Sequence, residues 1–124
     1  MTVLIDSWAW IEYCKATEMG EQVKKYFKDN KIVLTSTINI AEVYKYLLMT
    51  KPEKANSLIQ NIMKIALIIS VDTEIALHAG KIKHEKKMGM ADAIVLATAE
   101  KEHADILTGD SDFKDLPNVI YLGS

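Results

Sequence analysis

Five short apolar runs, separated by stretches whose apolar residues recur at helical spacing, constrain this chain more than any other feature of its sequence. The runs are TVLI at 2–5, KIVLT at 31–35, LIISV at 67–71, DILT at 105–108 and NVIYL at 118–122. Each is short and bounded by turn or capping residues, the pattern of a strand buried on both faces. The spacing predicts helices over 7–16 and 20–29, the second with Val23, Tyr26 and Phe27 opposite Lys24, Lys25 and Lys28. Ser36 or Thr37 caps a helix carrying Ile40, Val43, Tyr44, Leu47 and Leu48. Thr50 and Pro52 open another, with Ala55, Leu58, Ile59, Ile62 and Met63 on one face. Asp72 caps a helix running to about Lys87, which Gly89 ends. The segment 91–103 is nearly all apolar early on, so its helix is expected to be central and buried. Strands alternating with helices predict a mainly parallel sheet covered on both faces. Such sheets build their sites outside the carboxyl ends of the strands.

A length of 124 residues fits one domain spanning 1–124, and no repeat, linker or low-complexity stretch interrupts it. The net charge of −2 argues against a strongly basic nucleic-acid protein. All the basic residues other than histidine are Lys, so contact with a phosphate must use ammonium groups and not guanidinium forks. Cys14 is the single cysteine, which excludes an internal disulfide and a Cys-based metal cluster and points to a reduced, cytoplasmic setting. Lys64, Asp72 and Asp92 break the apolar stretches well before the ~18 residues of a membrane span. The start TVLIDSW lacks the basic opening of a signal peptide. No GxGxxG follows a strand, and neither a GxxxxGK[ST] cradle nor a GxSxG elbow occurs.

The acids are what remains for chemistry. Asp6 directly follows the first strand, and Asp110 and Asp112 follow the fourth in TGDSDF. Asp92 opens the most apolar helix, and Glu42 sits among Ile40, Ala41 and Val43. Each has a plain structural reading. Asp6 can cap the next helix, Asp92 can serve a helix dipole, and Asp110 and Asp112 can shape a turn around Gly109. Glu42 is either paired, liganded or on an exposed helix edge. Together, acids at the carboxyl ends of parallel strands repel and need a cation. Lys45 is one candidate; a hard divalent metal is the other, and an all-oxygen set favours Mg²⁺ or Mn²⁺ over zinc. His78, His84 and His103 form no ligand-spaced pair, and Cys14 reads as a packed thiol. The stretch KIKHEKK at 81–87 reads as a solvated helix face, or as a phosphate-binding patch through Lys83, Lys86 and Lys87 upstream of Asp92.

These pieces, in their order, resemble the PIN-domain ribonucleases, in particular the small VapC-type toxins of toxin–antitoxin pairs. The matching residues are Asp6-Ser7 after a strand, Ala41-Glu42, Ala91-Asp92-Ala93 with Ala97 and Ala99, TGDSDF at 108–113, and the final NVIYL. The resemblance covers essentially the whole chain. It implies a PIN-like, Rossmann-like α/β/α sandwich with about five mainly parallel strands. It implies Mg²⁺- or Mn²⁺-dependent endonucleolytic cleavage of RNA by Asp6, Glu42, Asp92 and Asp110. Asp6, Asp92, Asp110 and Asp112 are the implied metal ligands, with Ser7 and Thr108 as supporting polar residues. Hydrolysis by water in such a site leaves 5′-phosphate and 3′-hydroxyl ends and does not need the 2′-hydroxyl. The implied partners are RNA, a cognate antitoxin and a second copy of the chain. Trp8, Trp10, Tyr13, Tyr44 and Tyr46 cluster early in the chain; some must be core, but two Trp two positions apart cannot both face inward from one helix, which leaves aromatic surface for such contacts. An rRNA- or tRNA-processing nuclease and a catalytically silent binding module are the alternatives. A phosphoryl-accepting receiver domain ranks behind them, because no Lys ends the last strand.

Overall fold

The computed structural model describes residues 1–28 and 31–123. Strands β1 (Thr2–Ile5), β2 (Ile32–Ser36), β3 (Leu67–Ile69), β4 (Asp105–Thr108) and β5 (Val119–Tyr121) form one sheet in the order β3-β2-β1-β4-β5. Every pairing is parallel, with Val3 opposite both Val33 and Asp105. The chain winds outward from β1 to β3, then returns across the sheet to β4. The crevice between β1 and β4 is therefore the point at which the winding reverses.

The period-two alternation of the strands divides the interior. Val3, Ile5, Val33 and Leu107 face one layer, made by α1 (Ser7–Lys15), α2 (Glu18–Lys25), α3 (Thr37–Thr50) and α4 (Ala55–Ile65). Leu4, Leu34 and Ile106 face the other, made by α5 (Thr73–Glu85) and α6 (Met90–Glu102). The expected α/β/α sandwich is what forms. Helix α6 is central as expected, burying Ala93, Val95, Leu96, Ala97, Thr98 and Ala99.

Trp10 ties the first layer to the sheet. Its ring is fully buried and stacks on Phe27 at 5.4 Å, with Tyr13 edge-on at 6.1 Å. Its Nε1 donates to Thr35 Oγ1 at 3.0 Å, and Thr35 Oγ1 donates to the Ile5 carbonyl at 2.9 Å. Trp8 is only half-buried, as the two-residue spacing requires. Its ring lies flush on Gly109, where a Cβ would sit 2.4 Å from Trp8 Cζ2.

Several expected boundaries move. Helix α2 begins at Glu18, because the Thr17 side chain accepts from Gly20 N–H, and it ends at Lys25. Residue 29, its expected end, lies outside the described residues. Thr50 is the last residue of α3 and does not open α4, whose first residue is Ala55. Strand β2 shifts one residue forward, and β3 stops at Ile69. Asp72 caps α5 as expected, accepting from Ile75 N–H at 2.8 Å. Gly89 does not terminate α5, which stops at Glu85. It precedes α6 with φ −64°, while Lys83 Nζ holds the connecting loop through the Met88 carbonyl at 3.0 Å.

Thr35→Val should leave the buried Trp10 indole N–H without an acceptor and cost about 1–3 kcal/mol in urea unfolding. An unchanged midpoint would contradict this account of how α1 is fixed to β2.

Candidate active site

Asp6 is the first residue beyond β1, and its N–H continues the ladder to the Leu107 carbonyl at 3.1 Å. It occupies the cap position of α1 but makes no side-chain cap. Its carboxylate is instead turned into the crevice and is 4% exposed. Oδ2 accepts from Thr108 Oγ1 at 2.8 Å, and Oδ1 accepts from Asn39 Nδ2 at 3.1 Å. Thr108 in turn accepts the Asp110 N–H at 3.0 Å.

Asn39 also donates to Ser7 Oγ at 2.9 Å, and Ser7 Oγ donates to Glu42 Oε1 at 2.6 Å. Glu42 lies on the exposed edge of α3, so no burial cost attaches to it. Among the described residues, no ion pair joins Lys45 to any of these acids. Lys45 is therefore not the counter-cation of the cluster.

The second group lies across the crevice. Carboxylate oxygens of Asp92, Asp110 and Asp112 all come within 4.8 Å of one another. Asp92 comes from the first turn of α6; Asp110 heads a 3-10 turn, Ser111–Phe113, with its Oδ1 accepting from Asp112 N–H at 3.0 Å. The turn-shaping reading of Asp110 is thus correct, and it coexists with membership of the cluster. Asp6 is not one of these three; each of its oxygens accepts one side-chain hydrogen bond, from Thr108 or Asn39, and keeps a lone pair.

The electrostatics show a site with too much negative charge. Burial pushes Asp6 up to about 6; the Thr108 hydrogen bond opposes this, and the charges of Asp110 and Glu42 add to it. Asp92 is pushed up to about 7, first by burial, then by the Asp110 charge, a hydrogen bond shared with Asp112, and the Asp6 charge. Three hard oxygen donors converging with no ion-paired basic side chain among the described residues fit a divalent cation of the Mg²⁺ or Mn²⁺ type. No histidine joins the cluster: His78 pairs with Glu100, and His84 and His103 are exposed. Cys14 is buried, and burial raises its thiol pKa, as expected of a packed side chain.

The three lysines behave differently from one another. Lys83 is occupied by the Met88 carbonyl. All three are exposed and line one open groove together with Gly89 and Asp112. Asn39 carried no signal of chemistry in the sequence beyond its place three residues after the capping Ser36.

Fold and site together define a class: an all-parallel α/β/α protein whose acids gather at the winding reversal of its sheet. A PIN domain family model matches residues 3–119, and the chain belongs to the PIN domain family. No curated protein sequence matches it. The fold is similar to VapBC2 from Rickettsia felis bound to promoter DNA, with TM-score 0.79 and 20% identity over 100% of this chain and 99% of that one. It is similar to a toxin–antitoxin complex from Klebsiella pneumoniae, with TM-score 0.80 and 23% identity over 95% of each chain. It is also similar to VapC20 of Mycobacterium tuberculosis, a sarcin–ricin loop cleaving toxin, with TM-score 0.76 and 15% identity over 93% of this chain and 95% of that one.

The raised carboxyls fix a sign for the pH dependence of the metal-free protein. A carboxyl whose folded pKa exceeds its unfolded value binds its proton more tightly when folded. Its stabilisation is complete below the unfolded value and lost as pH rises through the folded one. With Asp6 at about 6 and Asp92 at about 7 against an ordinary 3.8, stability should fall between pH ~4 and ~7. Calorimetry in chelator should give a lower melting temperature at about pH 8 than at about pH 5.5. Asp92→Asn should flatten that slope and melt at or above wild type at the higher pH. A melting temperature that rises over this interval, or a large loss in Asp92→Asn, would favour the helix-dipole reading of Asp92.

Proposed function

We propose that this protein is a divalent-cation-dependent endoribonuclease and the toxin of a toxin–antitoxin pair. The observation that carries the reading is the convergence of the Asp92, Asp110 and Asp112 carboxylates beside buried Asp6 at the β1–β4 crevice. Membership of the PIN domain family and likeness to toxin–antitoxin structures support it.

In this reading Asp6, Asp92, Asp110 and Asp112 hold Mg²⁺ or Mn²⁺, Asp6 through lone pairs left over by its hydrogen bonds to Thr108 and Asn39. The bound cation supplies Lewis acidity at the scissile phosphate and neutralises charge that develops there. Glu42 Oε1 is tied down by Ser7, which leaves Oε2 free to take a proton from an attacking water. The Thr108 hydroxyl links Asp6 and Asp110, donating to the Asp6 carboxylate and accepting the Asp110 N–H. Lys86 and Lys87 sit beside Asp112 and supply the positive charge along which a phosphate backbone runs. Exposed Leu48, Met49, Met63 and Leu67 offer apolar surface on α3, α4 and β3 for a homodimer and for the antitoxin. A cytoplasmic location suits a buried, unpaired Cys14.

RNA cleavage should require Mg²⁺ or Mn²⁺, stop in EDTA, leave 5′-phosphate ends, and fall below detection in Asp6→Asn and Asp92→Asn. Undiminished cleavage by demonstrably metal-free protein would contradict the reading.

Lys86→Gln with Lys87→Gln should weaken RNA binding evenly across sequences. The salt dependence should become shallower by a log–log slope of about 0.7 for each lost single-strand contact. Adding Lys83→Gln should weaken binding and flatten the salt slope further, because that ammonium lines the same groove and keeps its charge while bonded to the Met88 carbonyl. Unchanged affinity and slope in the double variant would mean that the strand passes elsewhere.

A further inference from the structure

Asn39 is fully buried, and its carboxamide touches both halves of the acid network. A carboxamide has two donor hydrogens and one acceptor oxygen. Its orientation here follows from a donor that cannot rotate. The Ser36 backbone N–H lies 3.1 Å from Asn39 Oδ1, so that oxygen must face Ser36 and the nitrogen must face the crevice.

The two Nδ2 hydrogens then have separate destinations, Asp6 Oδ1 at 3.1 Å and Ser7 Oγ at 2.9 Å. Ser7 has one proton and accepts from Asn39, so its own proton goes to Glu42 Oε1. Thr108 behaves alike on the other side, accepting from Asp110 N–H and donating to Asp6 Oδ2. The side-chain hydrogens between Asp110 and Glu42 are thereby assigned; the Ser7 backbone N–H also bonds the Asp6 carboxyl, and the Asn39 side chain joins Asp6 to the Ser7 hydroxyl that holds Glu42.

The helix-capping role of Asn39 needs only its oxygen. As the third residue of α3 it completes a capping box with Ser36, through the Ser36 N–H to Oδ1 bond. The donation to Asp6 and Ser7 adds nothing to that cap.

We propose that Asn39 is the positioning residue that sets Asp6 and Glu42 at a fixed separation across the site, through Asp6 directly and through Ser7 to Glu42. The inference rests on the reading of these acids as a cation-dependent nuclease centre. Asn39 touches neither substrate nor cation; it acts through its neighbours.

The test uses the full chain as Asn39→Ala, Ser7→Ala and the double variant. Mn²⁺ affinity is measured by titration calorimetry, single-turnover RNA cleavage by gel, and folding by circular dichroism. Asn39→Ala should weaken Mn²⁺ binding by about 10- to 100-fold, the usual scale for partners that orient ligands. It should lower kcat at saturating Mn²⁺ and leave the KM for RNA unchanged. Ser7→Ala should lower kcat as well, and the double variant should fall short of the product of the two single effects. Wild-type Mn²⁺ affinity and kcat in a folded but less stable Asn39→Ala would reduce Asn39 to a helix cap and overturn the proposal. If Asn39→Ala does not fold, Ser7→Ala decides: a lowered kcat supports the relay to Glu42, and wild-type kcat overturns it. Wild type that binds Mn²⁺ but leaves RNA intact would overturn the nuclease reading while the affinity ratio still judges Asn39. Wild type that binds no Mn²⁺ would overturn both.

Discussion

The rest of the structure depends on one buried carboxylate. Asp6 sits at the carboxyl end of the central strand, almost without solvent. An isolated carboxylate in that position would cost several kcal/mol. Its two oxygens are instead met by Thr108 from β4 and Asn39 from α3. Both donors must arrive together, so β1, β2 and β4 have to be in register and α3 has to leave β2 at the right residue. The parallel pairing of Val3 with Val33 and Asp105 provides that register. The packing of Trp10 against Thr35 and Phe27 holds α1 where Ser7 can reach Asn39.

The same crevice works against stability. Asp92 and Asp6 both hold their protons more tightly than ordinary carboxyls because burial and neighbouring charge oppose ionisation. A fold selected only for stability would place an ammonium there or spread the acids apart. Here the surrounding layers are apolar and closely packed on both sheet faces, and the strain is confined to the rim. Sites arranged for function commonly carry such a penalty. Binding of a cation to the folded state alone offsets it by mass action.

Much of this was legible in the sequence because it is local. Short apolar runs between helix-period segments identified the parallel sheet, and acids directly after the first and fourth runs marked its carboxyl edge. Residues whose role lies in distant pairing were not legible. Asn39 meets Asp6 across 33 positions, and Thr108 meets Asp6 across 102. Nothing in TSTINIAE distinguishes Asn39 from an ordinary first-turn residue. The exposure of Glu42 depends on how far α3 overhangs the sheet, which periodicity does not specify. The charge patch of Lys83, Lys86 and Lys87 is local enough to be legible, but the bond from Lys83 to the Met88 carbonyl depends on the path of the loop before α6. Glycine often ends a helix, which is what the sequence predicts of Gly89, although its backbone here is extended and opens α6.

The central claim is that the acids at the β1–β4 crevice form a single divalent-cation site. Paramagnetic line broadening in an amide spectrum tests it most directly, because it locates the ion without reference to any substrate. Substoichiometric Mn²⁺ should first broaden the amides of Ser7, Asp92, Ala93, Asp110 and Asp112. The amides of His103 and Lys51, at the far edge of the molecule where α6 and α3 end, should broaden last. Early broadening at that far edge, or loss of intensity spread evenly over the chain, would contradict the account.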